Sequence, residues 1–152
     1  MRLFRIADLA YPVFDGGGAL HHPGRWHSAG RLIIYCGPNI SCCRLELMAN
    51  LGRAVLRKAY GVVEIEMPDN VSVTTIAASD LPPGWDHPRD HTVSRPIGDV
   101  WYDSQHTLLL RVPSVASPGE FNVLINQEHP EFGRLVASHP KPINWDERTF
   151  GS

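Results

Sequence analysis

Glycine and proline interrupt this chain at short intervals along its length. The sequence contains thirteen of each, and they divide the apolar runs into short segments. Turn residues at this frequency argue against a bundle of long helices and favour short strands and helices joined by turns. The sequence therefore predicts an α+β or mixed fold.

Size and charge limit the class of protein further. With 152 residues, of which 43% are hydrophobic, the chain has the composition of a globular protein, and we expect a single domain over 1–152. A chain of this length buries roughly 70% of its unfolded surface, so its core needs no disulfide or structural metal. The formal charge of -2 provides no basic field for a nucleic-acid backbone. Direct nucleic-acid binding is therefore not expected.

The cysteines and the N-terminal residues indicate in which cellular compartment the protein is expected. The three cysteines are Cys36, Cys42 and Cys43, an odd number with an adjacent pair, which suits neither a disulfide framework nor a zinc knuckle. Charged residues interrupt the apolar positions of 1–20, so neither a signal peptide nor a membrane span is expected. These observations predict a reducing, cytoplasmic location with no membrane contact.

Apolar periodicity predicts the individual elements. A helix is expected from Asn39 or Ser41 to a stop at Gly61, and a second helix over 92–104. Loops are expected over 11–23 and 80–88, and the proline-broken tail after 130 is expected to be irregular. Strands are expected over 3–6, 32–36, 62–67, 71–76, 107–112 and 121–125.

Three familiar kinds of site lack their sequence signals. His87 and His91 are four residues apart, but Pro88 disfavours the helix that would align them, and no HExxH or paired CxxC occurs. There is no GxSxG motif, and the triplet Gly16-Gly17-Gly18 lacks the lysine of a phosphate-binding loop. No metal is expected, and the triplet is interpreted as a flexible loop.

A few polar side chains occupy positions that the packing of a globular domain does not explain. They are Arg25, Tyr35 at the end of an apolar strand, Glu46 inside the first long helix, and Ser114 just after a strand. The residues one helical turn from Glu46 are short, which would leave space above its carboxylate if that face lines a cleft. The alternative is that Glu46 and Arg25 are solvated surface charges.

Six short motifs then carry a resemblance that runs nearly end to end. They are Phe4-Arg5, PGRWHSAG with IIY at 23–35, LE at 45–46, LPPGW at 81–85, LRVPS at 110–114 and EFNVLINQEHPEF at 120–132. In this order they resemble the RES-domain family, which is named for an arginine, a glutamate and a serine. The chain departs from the family pattern at His27, Phe121 and Gln127, and His27 leaves the substrate contacts of its loop open.

The resemblance implies a fold, an activity and a partner. The fold would be similar to ADP-ribosyltransferases, with a split mixed β-sheet, flanking helices and a cleft. The activity would break the nicotinamide–ribose bond of NAD, which is a substrate. The chain would be the toxin of a bacterial toxin–antitoxin pair, and its partner would be an Xre-type antitoxin with a helix-turn-helix and a segment that covers the cleft. A homodimer or a larger complex with the antitoxin stays open.

The resemblance also implies roles for individual residues. Glu46 would stabilise the oxocarbenium-like transition state. Arg25 would hold the pyrophosphate, and the Tyr35 ring would contact the nicotinamide. Ser114 would donate to a phosphate or ribose oxygen, and Arg5 is a weaker candidate for the NAD ribose or diphosphate. Asn122 and Asn126 also match the motifs, but hydrogen bonds that fasten a turn explain them equally well.

Several functions stay open at this point. ADP-ribose could pass to water or phosphate, which would deplete cellular NAD, or to a protein side chain, which would make the chain an ADP-ribosyltransferase. A catalytically inactive binding module is a further alternative. An RNA-cleaving toxin would want a cationic surface, which the charge of -2 does not supply.

Overall fold

Two four-stranded β-sheets form the centre of the molecule in the computed structural model, which describes residues 1–151. The strands are β1 (Arg2–Asp8), β2 (Ile33–Cys36), β3 (Tyr60–Glu66), β4 (Val73–Thr75), β5 (Leu109–Pro113), β6 (Phe121–Asn126), β7 (Val136–Ala137) and β8 (Lys141–Ile143). In the first sheet, β3 pairs with β1 and with the short strands β7 and β8. In the second, the order is β2-β6-β5-β4, with only β4 and β5 parallel. The expected mixed, split sheet is confirmed.

Helices flank both sheets. The α-helices are α1 (Gly17–His21), α2 (Ile40–Leu51) and α3 (Arg95–Ser104), and the 3-10 helices are Gly52–Arg57, Ala78–Asp80, Pro130–Arg134 and Glu147–Phe150. The prediction of a loop over all of 11–23 is wrong, because α1 begins within the glycine triplet. The tail after 130 is also more regular than predicted, because β7 and β8 both pair with β3.

The sheets pack on one another through strands that alternate as predicted. In β3, Val63 and Ile65 are buried and belong to the same core cluster as Ile34 and Ile125 of the second sheet. Each fully buried aliphatic side chain contributes about 1.5–3 kcal/mol of hydrophobic free energy. This shared core fixes the first sheet against the second.

The other face of the second sheet is covered by α3 and by the segment that contains Trp26. Leu110 and Leu124 pack with Trp26 and Trp101 in a second core cluster. The approach is close, because a Cβ atom on Gly98 of α3 would lie 1.6 Å from the Trp26 carbonyl oxygen. Only glycine fits there, and the residues next to Trp26 are held against α3.

Helix α2 carries Glu46 and ends earlier than predicted. Asn39 caps it, since its side chain accepts a hydrogen bond from the Cys42 backbone N–H at 2.8 Å. The helix ends at Leu51 rather than at Gly61, because Gly52 takes a positive φ of 55° and the chain continues as a 3-10 helix. None of the helices within 1–151 has the length and apolar character needed to cross a membrane.

Candidate active site

A cleft between α2 and the edge of the second sheet contains two adjoining pockets. The "apolar pocket", of about 150 Å³, is bordered by Ile6, Cys36, Cys43 and Leu47. The "arginine pocket", of about 400 Å³, is bordered by Arg25, Trp26, Ala49 and His91. Both are also lined by Tyr35, Glu46, Asn50 and Asn122. The cleft is therefore polar at its centre, with one end that is apolar except for Arg5 and a second end that carries Arg25.

Glu46 lies at the junction of the two pockets. Its Oε1 atom accepts hydrogen bonds from Ser114 Oγ and from Asn122 Nδ2, each at 2.7 Å. Its Oε2 atom accepts none from residues 1–151. The short neighbours Cys43, Ala49 and Asn50 leave the space around the carboxylate that the sequence predicts. One carboxylate oxygen is thus fixed, and the other is available to a ligand.

Ser114 supports Glu46 and does not face the pockets. It is 5% exposed and follows β5 directly. Its hydroxyl donates to Glu46 and accepts from the Ser117 backbone N–H at 3.0 Å. The single hydroxyl hydrogen is therefore engaged by a carboxylate rather than by the phosphate or ribose oxygen that we expected.

Arg25 presents one edge of its guanidinium to the arginine pocket. Its Nη1 atom donates to the carbonyl oxygens of Trp85 and His87, at 3.0 and 2.9 Å. Its Nε and Nη2 groups have no acceptor within the described part of the chain. Burial lowers the pKa of Arg25, while the nearby Glu46 carboxylate opposes this shift. The free edge has the geometry that binds carboxylates and phosphates with two hydrogen bonds.

Tyr35, in β2, contributes to the walls of both pockets. Its hydroxyl lies 2.7 Å from His27 Nδ1 and accepts a long hydrogen bond, of 3.4 Å, from the Trp26 backbone N–H. Burial raises the pKa of Tyr35 well above its ordinary value. The side chain is therefore a neutral phenol at physiological pH.

Arg5 lies in the middle of β1, because this strand extends further than predicted. Its Nε atom donates to the Val13 carbonyl at 2.7 Å and its Nη1 atom to the Tyr35 carbonyl at 3.0 Å. Burial lowers the pKa of Arg5, and the chain between 1 and 151 offers it no carboxylate within ion-pair distance. A half-buried guanidinium with no ion-pair partner among residues 1–151 therefore lines the apolar pocket, and the more distant Asp15 carboxylate partly offsets the effect of burial on the pKa of Arg5.

The structure also assigns contacts that the sequence did not specify. Asn122 binds Glu46 rather than fastening a turn. Asn126 does fasten one, because its Oδ1 accepts from the Glu128 backbone N–H at 2.9 Å. His27 is enclosed beside Tyr35, and His91 lines the arginine pocket. No periodicity marks the contact of Asn122 with Glu46, because it joins segments 76 positions apart in the sequence.

The cysteines belong to the packing around the cleft. Cys36, Cys42 and Cys43 are all buried and free. Burial raises the pKa of Cys36 and of Cys43 to about 12, so both remain thiols. Over residues 1–151, no three His, Cys, Asp or Glu side chains are grouped closely enough to hold a metal ion.

Comparisons with known proteins agree with these motifs and this fold. The chain is 37% identical over 149 residues to the Prs ADP-ribosylating toxin of Sphingobium sp. (strain YBL2), which covers 97% of this chain and 89% of that protein. It is 30% identical over 138 residues to Toxin Res of Photorhabdus laumondii, covering 90% and 88%. The M. tuberculosis MbcT–MbcA toxin–antitoxin complex contains a chain of similar fold, with a TM-score of 0.80, 16% identity, and coverage of 94% and 84%. The family model of the RES domain matches residues 2–146, and the chain therefore belongs to the RES-domain family.

Proposed function

We propose that this chain is the toxin of a toxin–antitoxin pair and that it cleaves the nicotinamide–ribose bond of NAD. The observation that carries the proposal is the state of Glu46. Its Oε1 atom is fixed by Ser114 and Asn122, its Oε2 atom has no hydrogen-bond partner among residues 1–151, and the side chain lines both pockets of the cleft. Relatives named as toxins, one of them ADP-ribosylating, support the choice of substrate.

The reaction needs one well-placed carboxylate. When the bond from ribose C1′ to the pyridinium nitrogen breaks, its electron pair neutralises the pyridinium, and neutral nicotinamide leaves without a general acid. Positive charge develops on C1′ and the ring oxygen, as in glycoside hydrolysis. A carboxylate held in place before the reaction stabilises that charge without reorganising. Glu46 meets this requirement.

The two arginines would bind the anionic part of NAD. Arg25 offers the unpaired Nε and Nη2 edge of its guanidinium, which suits two oxygens of a pyrophosphate. Arg5 is a half-buried cation without an ion-pair partner in the described chain, and an anion nearby would relieve its burial. Hydrogen bonds to a charged group contribute about 1.5–3 kcal/mol each.

Tyr35 and Ser114 would act in different ways. Tyr35 reaches both pockets, so its ring can contact the nicotinamide beside Glu46. Ser114 would act through Glu46, because its hydroxyl is already bonded to that carboxylate. We therefore propose Glu46, Arg25, Tyr35 and Arg5 as substrate contacts and Ser114 as a positioning residue.

The acceptor of ADP-ribose distinguishes two functions. With water or phosphate as acceptor, a new bond forms from C1′ to an oxygen, a water acceptor gives up one proton to solvent, and the enzyme depletes cellular NAD. With a protein side chain as acceptor, it is an ADP-ribosyltransferase. The second function is favoured by the 37% identity to a protein named for ADP-ribosylation. Both use the same carboxylate and the same anion contacts.

The proposed partner is an antitoxin. The fold resembles a chain in a solved toxin–antitoxin complex. We propose an Xre-type protein that covers the cleft in the cytoplasm and brings any DNA contact of the complex. Adding the purified antitoxin at an equimolar concentration should suppress nicotinamide release, and release that continues in a complex isolated intact would contradict this part of the proposal.

The direct test is nicotinamide release from NAD by the purified chain, with and without inorganic phosphate. Release should be lost in Glu46→Gln and in Arg25→Ala. It should persist in the matched controls Glu147→Gln and Arg57→Ala, because these side chains are exposed and lie outside the cleft. A phosphate-dependent product would identify phosphate as the acceptor.

A folded wild-type chain that releases no nicotinamide would overturn both hydrolysis and phosphorolysis. NAD labelled in its adenylate part, added to a bacterial lysate, would then test transfer to protein. Label that enters a protein with the wild type, but not with Glu46→Gln, would establish the transferase.

A further inference from the structure

His27 is enclosed between Tyr35 and two backbone carbonyl groups. Its side chain is 2% exposed. Its Nδ1 atom lies 2.7 Å from the Tyr35 hydroxyl oxygen. On the opposite side of the ring, Nε2 lies 2.8 Å from the His22 carbonyl oxygen and 3.2 Å from that of Ala19. Both ring nitrogens are therefore in hydrogen bonds.

These partners determine which nitrogen carries the proton. A carbonyl oxygen can only accept, so Nε2 must be the donor. A neutral imidazole has one N–H, which leaves Nδ1 as an acceptor. Among residues 1–151, the one group placed to donate to Nδ1 is the Tyr35 hydroxyl. The tyrosine hydrogen is therefore directed toward His27. The Trp26 backbone N–H occupies one lone pair of the oxygen at 3.4 Å, which leaves the other lone pair for a ligand.

We propose that His27 is a positioning residue that makes Tyr35 a hydrogen-bond acceptor toward the bound nucleotide. This inference rests on the proposed function, because it concerns a wall of the same cleft. A phenol oxygen whose hydrogen is engaged elsewhere repels phosphate oxygens and attracts donors. Tyr35 then selects a ribose hydroxyl or a carboxamide N–H, and the anionic groups are left to the arginines.

The arrangement requires a neutral His27. Burial lowers the pKa of His27, and the nearby Arg95 adds to this shift. The carbonyl groups on Nε2 and the Asp99 carboxylate oppose it, but Asp99 is itself bonded to the Ser28 backbone N–H at 2.7 Å and lies 3.4 Å from Arg31. The imidazole is thus neutral at physiological pH.

Acid would reverse the hydrogen bond. Protonation places a hydrogen on Nδ1, which must then donate to the Tyr35 oxygen. The tyrosine hydrogen turns away from His27, and the group that faces the cleft changes from an acceptor to a donor. Activity should therefore fall on the acid side as His27 becomes charged.

Two substitutions distinguish the effect of the Nδ1 hydrogen-bond acceptor from the effect of the positive charge that His27 gains on protonation. Asparagine can place its Oδ1 atom where His27 has Nδ1, so His27→Asn can still accept from Tyr35 but cannot be protonated. His27→Leu removes the acceptor. The control is His139→Leu, because His139 is exposed and outside the cleft.

The test measures kcat and KM for nicotinamide release between about pH 5 and pH 9, a range that spans histidine titration. His27→Leu should lower kcat/KM about tenfold, as expected for one lost positioning hydrogen bond. His27→Asn should restore part of this loss, and its acid limb should lie at lower pH than that of the wild type. In a Tyr35→Phe background, His27→Leu should have no further effect. An unaffected His27→Leu, or an unchanged acid limb in folded His27→Asn, would overturn the inference.

A second measurement does not depend on catalysis. Nitrogen-15 NMR of the wild-type imidazole at about pH 7.5, above the ordinary histidine pKa, should show a proton on Nε2 and none on Nδ1. A proton on Nδ1 would overturn this inference and leave the proposed function intact. A folded wild type that neither releases nicotinamide nor transfers ADP-ribose would overturn the proposed function, and with it the role of Tyr35 toward the nucleotide.

Discussion

Ser114 donates its hydroxyl hydrogen to Glu46 Oε1 at 2.7 Å and so connects the end of β5 to the middle of α2. Asn122 of β6 donates to the same oxygen. The carboxylate is therefore fixed by the second sheet as well as by its own helix. Because both donors bind Oε1, the carboxylate group is held in one orientation, while Oε2 accepts no hydrogen bond from residues 1–151.

Ser114→Ala should lower kcat for nicotinamide release while changing KM little. The lost hydrogen bond is to a charged group and is worth about 1.5–3 kcal/mol, or roughly 10- to 150-fold in rate if it acts fully in the transition state. Steady-state kinetics measures the effect, with Ser79→Ala at an exposed serine as the control. A rise in KM alone would indicate that Ser114 binds substrate directly.

Asn122→Asp should move the acid limb of the activity to higher pH. The new carboxylate would lie where the amide now sits, 2.7 Å from Glu46 Oε1. Two carboxyl groups at this distance share one proton until a strongly raised pKa of the pair is passed, so both are ionised only at higher pH. The rate profile should be compared with Asn122→Ala, which removes the donor without adding charge. The same acid limb in both variants would contradict this prediction.

Local pattern was sufficient for strands β1 to β6 but not for β7, β8 or the helix ends. Alternation of apolar and acidic residues predicts most of β3, because the pattern repeats every two residues whatever the tertiary contacts. Both Gly52 and Gly61 can end a helix at a positive φ, and because the residues after Gly52 are compatible with a helix, the local pattern does not show that α2 ends at the first. The short strands β7 and β8 exist because β3 offers them a partner, which no local pattern records.

The site could be predicted as a set of residues but not as a set of contacts. The motifs identify Arg25, Tyr35 and Glu46, which the fold brings to one cleft. The hydrogen bonds of Ser114 and Asn122 to Glu46 span 68 and 76 positions of sequence, so only the folded chain defines them. For this reason the structure assigns to Ser114 and Asn122 a contact with Glu46 that the motifs did not predict.

Asn39→Ala should reduce the free energy of unfolding by about 1 kcal/mol, the usual contribution of an N-cap side chain. The Asn39 side chain is the acceptor for the Cys42 backbone N–H at the start of α2. Chemical denaturation measures the change. Asn39→Ser should stay within a few tenths of a kcal/mol of the wild type, because serine caps about as well. Equal losses in both variants would show that the cap does not stabilise α2.

Gly98→Ala should destabilise the protein by about 3 kcal/mol or more, because the core has no room for the added methyl group. Its Cβ would lie 1.6 Å from the Trp26 carbonyl oxygen. Thermal and chemical unfolding measure the loss. Gly133→Ala is the control, since a Cβ there meets nothing within 4 Å. Wild-type stability in Gly98→Ala would mean that α3 lies farther from Trp26.

Because His27 is buried, the free energy of unfolding should be lower in mild acid than at neutral pH. Burial lowers its pKa in the folded protein, while the unfolded chain titrates at about 6.5. Between these two values the unfolded state binds more protons, so the free energy of unfolding falls as the pH decreases below about 6.5 and is fully recovered above it. His91, whose pKa burial also lowers, adds a change of the same sign.

In His27→Asn the loss of stability between about pH 7.5 and pH 5.5 should therefore be smaller than in the wild type, but not zero. Chemical denaturation at both pH values measures it, with exposed His139→Asn as the control. An equal loss in the wild type and His27→Asn would show that His27 is not held neutral by the fold.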